Sequence, residues 1–190
     1  MGNKKAIFVC GSGGSGKSTF AKTKLKEFIH IDVDIIYEEL LISNGLGLKI
    51  KDFNDEQIIL GNKLFEEAKV LNGIKLKKAI EDGKNIVIDG IGRDSDIILT
   101  QRNMLNQFGY DTMLIMMYSD LDVCTKRIES RERIYKENIT NDSWYLAYDN
   151  IGTYKREFGD NFLFIYNDTS NHLNKLEEFI KAGKVIKTIL

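Results

Sequence analysis

Ala6-Ile-Phe-Val-Cys-Gly-Ser-Gly-Gly-Ser-Gly-Lys-Ser-Thr19 opens on five apolar residues, turns through glycines and serines, and closes on a lysine and two hydroxyls. The apolar run has the length and composition of a buried strand. Gly11 to Ser18 satisfy the spacing G-x4-G-K-[ST], and the residues from Lys17 onward are helix-forming, so the motif stands between strand and helix as its mechanism requires. Small residues let backbone N–H groups turn inward around a phosphate. The N-terminus of the following helix adds partial positive charge to the same anion. Gly11, Ser12, Gly13, Gly14, Ser15, Gly16, Lys17, Ser18 and Thr19 are therefore expected to hold a nucleotide's phosphates, with Lys17 on the β- and γ-phosphates and the Ser18 hydroxyl on Mg²⁺. The plainer reading, a flexible turn between strand and helix, explains neither the lysine nor the hydroxyl.

Outward from this loop, short apolar runs alternate with longer stretches whose apolar residues recur every three or four positions, the pattern of an α/β protein with a mostly parallel sheet. Five strands are expected at Ala6–Cys10, Phe28–Ile31, Asn85–Asp89, Thr112–Tyr118 and Phe162–Tyr166. Helices are expected over Lys17–Glu27, Asp34–Leu41, Glu56–Ile80, Asp94–Phe108, Leu121–Arg133, Asp142–Phe158 and Asn171–Lys181. Gly61 and Gly73 suggest that the longest helix is two joined by a turn. The expectation is a three-layer sandwich around a five-stranded sheet, with a helical lid near residues 124–142, in a single domain spanning 1–190.

The chain has 190 residues, 43% hydrophobic and 29% charged, enough to bury one core and stay dissolved. Its formal charge of −1 offers no general attraction to nucleic acid or an anionic membrane. Cys10 and Cys124 stand far apart in apolar surroundings, so neither a disulfide framework nor a cysteine metal site is expected. The first residues lack the long apolar core of a signal peptide, and a cytoplasmic protein is expected.

Two acidic sites should face the phosphate loop, because the carboxyl ends of neighbouring parallel strands line one crevice. His30-Ile-Asp-Val-Asp34 closes the second strand; Asp34 is placed to orient an acceptor hydroxyl and take its proton, and Asp32 to hold a magnesium water. Either could instead cap the next helix. Ile86-Val-Ile-Asp89 ends in a carboxylate that could also serve the metal, and Arg93 just beyond it could grip an anionic substrate. Three of the chain's six arginines, Arg127, Arg131 and Arg133, cluster on one expected helix, with Arg127 and Arg131 four residues apart on one face. Such a face can close over the γ-phosphate and exclude water. His30, Cys10, Cys124 and Trp144 are given structural roles only.

In these segments the chain resembles the P-loop kinases of the zeta-toxin and polynucleotide-kinase type, including small predicted kinases of tailed phages. The resemblance rests on Gly11 to Thr19, Ile31-Asp-Val-Asp34, Ile88-Asp-Gly-Ile-Gly-Arg-Asp94, Arg127 to Arg133, and Ser143-Trp-Tyr-Leu-Ala-Tyr-Asp-Asn-Ile-Gly152. It implies a base at Asp34, lid cations at Arg127 and Arg131, and ATP with Mg²⁺; for a phage protein it implies the host cytoplasm. The family's polynucleotide kinases carry an arginine shortly after the base, whereas here Ile35-Ile-Tyr-Glu-Glu39 has none. Between Asp32 and Asn62, Lys49 and Lys51 face seven acids, a balance that disfavours a nucleic-acid acceptor. The expected acceptor is a hydroxyl on a small anion, a nucleotide or nucleotide sugar. A nucleoside monophosphate kinase and a non-catalytic nucleotide-binding regulator are the alternatives.

Overall fold

The computed structural model describes residues 4–130 and 137–167, with the backbone alone for 137–140. Five strands form one sheet: β1 (Lys4–Cys10), β2 (Ile29–Ile31), β3 (Ile86–Gly90), β4 (Tyr110–Tyr118) and β5 (Phe162–Tyr166), in the order β2-β3-β1-β4-β5. Every neighbouring pair is parallel, and β1 lies centrally, with Cys10 level with Gly90 on one side and Met116 on the other. All five expected strands are present, each within two residues of the expected bounds.

Side chains of β1 alternate between two cores, as the period of a strand requires. Ala6, Phe8 and Cys10 point to a layer built by α3 (Asp55–Glu81), α4 (Ser95–Gln107) and α7 (Ile151–Phe158), where Leu105, Tyr154 and Phe158 are buried. Ile7 and Val9 point the other way, onto Phe20, Ala21 and Leu25 at α1 (Lys17–Lys24). This is the three-layer α/β sandwich expected. A third cluster, with Tyr37, Leu41, Leu64 and Ala68, joins α2 (Val33–Ser43) to α3 as a helical hairpin beside the sheet edge.

Several helices differ from their expected form. α3 is one helix, unbroken at Gly61 or Gly73, and opens on a capping box in which Asn54 accepts from Gln57 N and the Gln57 side chain accepts from Asn54 N. Gly61 is there for packing, because a Cβ would stand 3.2 Å from Tyr37 Oη. α1 stops at Lys24; the chain then turns, with Phe28 N donating to Leu25 O, and both residues are buried. The helix expected over Asp142–Phe158 is two, α6 (Glu137–Tyr148) and α7, parted at Asp149-Asn150 where the Asn150 side chain donates to Arg93 O at 2.8 Å. α5 (Leu121–Glu129) ends in a C-cap at Ser130. Arg131, Arg133 and the helix expected at Asn171–Lys181 lie outside the described residues.

Candidate functional site

The loop between β1 and α1 is shaped by three left-handed glycines, Gly11, Gly14 and Gly16, with φ of 142°, 79° and 94°. A side chain at Gly14 would also stand 2.5 Å from Cys124 O, so α5 approaches the loop as closely as backbone allows. Inside the loop the Ser12 carbonyl accepts three bonds, from Ser15 N, Ser15 Oγ and Lys17 Nζ, the last at 2.9 Å. Lys17 is half-buried at the mouth, whereas Ser18 and Thr19 are exposed on the first turn of α1.

The acids gather opposite. Ser18 Oγ donates to Asp89 Oδ2 at 3.3 Å, which joins the loop to the end of β3. Burial pushes the Asp89 carboxyl up to about 6; Lys17 offsets part of this, and the charges of Asp32 and Asp34 add to it. Asp32 is also raised, first by burial and then by Asp34. Its side chain accepts from Asp34 N at 2.9 Å, so it caps α2, one of the two readings open from the sequence. Three carboxylates thus act on one another around a single ammonium. A hydroxyl and carboxylates with surplus negative charge are the hard oxygen donors that Mg²⁺ prefers, and Ser18 and Asp89 fit that ion.

Arg93 is exposed on the turn after β3, and that turn is fixed from three sides: Gly11 N donates to Ile91 O, Tyr154 Oη to Gly92 O, and Asn150 Nδ2 to Arg93 O. Arg127 is arranged differently from the expected cation over a γ-phosphate. Its guanidinium turns onto the protein's own acceptors, Gly14 O at 3.0 Å, Ser119 Oγ at 2.9 Å and Asn167 O at 3.0 Å. The Gly14 contact makes Arg127 part of the loop's support.

Tyr148, Ser119 and Asn167 also belong to this support; Tyr148 lies in the segment Ser143–Gly152 that carried the resemblance, whereas no sequence motif marks Ser119 or Asn167. Tyr148 Oη donates to Met117 O at 3.1 Å and accepts from Ser12 N at 3.4 Å. Trp144, given a structural role only, is half-buried; its Nε1 donates to Ser119 O at 2.8 Å, and its ring lies 5.2 Å from that of Tyr148. The two residues pin α6 to the end of β4. The cysteines keep the structural role expected: both are buried, and burial, then Asp89, pushes the Cys10 thiol up to about 12, far from a reactive thiolate.

Residues 7–145 match the family model described as AAA domain. Among curated proteins, none matches this sequence. Among solved structures, the shikimate kinase of Bacteroides thetaiotaomicron is similar at a TM-score of 0.54 and 16% identity, over 96% of this chain and 98% of its own. A structure of the PezAT chromosomal toxin–antitoxin system of Streptococcus pneumoniae is similar at 0.53 and 15%, over 99% and 88%. AvrRxo1-ORF1:-ORF2 with ATP gives 0.67 and 13%, over 87% of this chain and 55% of that one. At these identities the likeness is one of fold.

Proposed function

The chain belongs to the AAA domain family, and from that premise we propose that it is an ATP-dependent kinase that moves the γ-phosphate to a hydroxyl of a small acceptor. The observation that carries this reading is the Ser18–Asp89 contact, which sets the phosphate loop against carboxylates at the ends of β2 and β3. A phosphate loop alone would serve a switch equally well; an added carboxylate near the crevice gives the acceptor hydroxyl a base.

In this reading the loop and Lys17 hold the β- and γ-phosphates, and Ser18 and Asp89 hold Mg²⁺, with Asp32 behind them. The ion, when bound, supplies positive charge to the phosphate oxygens. Asp34 orients the acceptor hydroxyl. As its oxygen bonds to the γ-phosphorus, the bond from phosphorus to the β–γ bridging oxygen breaks, ADP leaves, and the hydroxyl proton passes to Asp34. Arg93, exposed at the crevice edge, receives an anionic group of the acceptor. Arg131 as a lid cation stays part of the proposal on sequence grounds.

The acceptor is proposed to be a nucleotide, a nucleotide sugar or a comparable small anion. Asp34, Glu38 and Glu39 lie on or beside the first turns of α2, and a strand of phosphates would meet them without a row of cations. The likeness in fold to a shikimate kinase accords with a single small acceptor. Competition at low and high salt tests this: free nucleotides or nucleotide sugars should inhibit transfer, and 5′-hydroxyl oligonucleotides should not. Strong, salt-sensitive inhibition by the oligonucleotides alone would establish a polynucleotide acceptor instead.

A further inference from the structure

Asn167 follows β5 immediately, is 9% exposed, and engages its backbone N–H, its backbone carbonyl and its side-chain nitrogen. Its N–H donates to Tyr118 O at 2.6 Å. Its carbonyl accepts from Ser119 Oγ at 2.6 Å and from Arg127 at 3.0 Å. Its side-chain Nδ2 donates to Ser15 O at 2.8 Å, and the same nitrogen fills the space that a Cβ on Gly16 would need. Arg127, bonded to Asn167 O, also reaches the loop through Gly14 O. The carbonyls of Gly14 and Ser15 are thus drawn outward by two donors. In a peptide chain, holding successive carbonyls outward leaves the neighbouring N–H groups free to face inward, which is what an anion cradle needs.

We propose that Asn167 is a positioning residue of the phosphate loop, acting with Arg127 to hold the loop open for the phosphates of a nucleotide. This deepens the nucleotide-binding reading above and rests on it. The side-chain amide is uncharged, donates to Ser15 O and stands against Gly16. A carboxylate of the same shape loses the donor and places negative charge between a carbonyl and the bound phosphates.

The experiment measures binding of Mg·ADP and of pyrophosphate to the wild-type protein, Asn167→Asp and Asn167→Ala by calorimetry, well below each unfolding midpoint. Asn167→Asp should weaken both ligands by about 10- to 100-fold, and more than Asn167→Ala does, although Asp preserves shape better. The KM for ATP should rise by a similar factor, with kcat changed less. A residue that only packs gives the reverse order, Ala worse than Asp, with losses that follow stability; that order, or wild-type affinity in Asn167→Asp, overturns the proposal. If Asn167→Asp does not fold, Arg127→Lys decides: it keeps the charge but loses the fork, so unchanged pyrophosphate affinity there overturns the proposal and a tenfold or greater loss supports it. Failure of the wild-type protein to bind either ligand overturns the nucleotide reading itself, a result distinct from the others.

Discussion

Asp89 carries the most informative titration in the molecule. Its folded-state value of about 6 stands above the ordinary 3.8, chiefly through burial. Between those values the folded chain keeps a proton that the unfolded chain has released, so this group's contribution to stability falls as pH rises through the window. Asp89→Asn removes the effect. In denaturant unfolding without magnesium or nucleotide, the variant should gain on wild type as pH rises from 4 to 6, by about 2 kcal/mol; a constant difference would contradict the electrostatic explanation. Asp34 and Asp32 separate by function. Asp34→Asn should retain ATP binding and lose about 10²–10⁴ in transfer, the usual span for a positioned base. Asp32→Asn, which alters a cap beside the proposed metal position, should mainly raise the magnesium requirement. A dead Asp32→Asn beside a fully active Asp34→Asn would exchange their roles.

At the scale of elements, α3 yields a contrast between two glycines. At Gly73 an added Cβ meets nothing within 4 Å, and the helix continues through it, so Gly73→Ala should stabilise the protein by ~0.5–1 kcal/mol. Gly61→Ala should give no such gain, since its Cβ would press Tyr37 Oη at 3.2 Å and oblige that side chain to shift by a few tenths of an ångström. Thermal unfolding of the two variants checks both, and equal stabilisation would contradict the packing reason for Gly61. The same helix shows what was legible in the sequence. Strand runs and the phosphate loop could be read because each is a local pattern with a local cause. Gly61 was ambiguous because its cause is Tyr37, on another helix. The break at Asp149-Asn150 was hidden for the same reason, since Asn150 answers to Arg93 O, 57 positions away. The resemblance singled out the segment holding Tyr148 but not that residue's role, and Asn167 could not be found by pattern at all: their partners in the loop are 136 and 152 residues distant.

In the whole molecule, β1 stands at the centre of the sheet and delivers the phosphate loop to the crest where β3 and β2 bring their acids and β4 and β5 bring the loop's supports. Among the described residues no helix is long and apolar enough to cross a membrane. The acids and the loop's supports are therefore brought by opposite halves of one parallel sheet. Transfer to a small molecule is the central claim, and one measurement bears on it most directly: incubation with γ-labelled ATP, Mg²⁺ and a metabolite extract, followed by identification of what carries the label. Label is expected on a small hydroxyl-bearing anion, lost with Lys17→Ala and reduced about 10²–10⁴-fold with Asp34→Asn. Label recovered only as inorganic phosphate, at the same rate in wild type and Asp34→Asn, would contradict it.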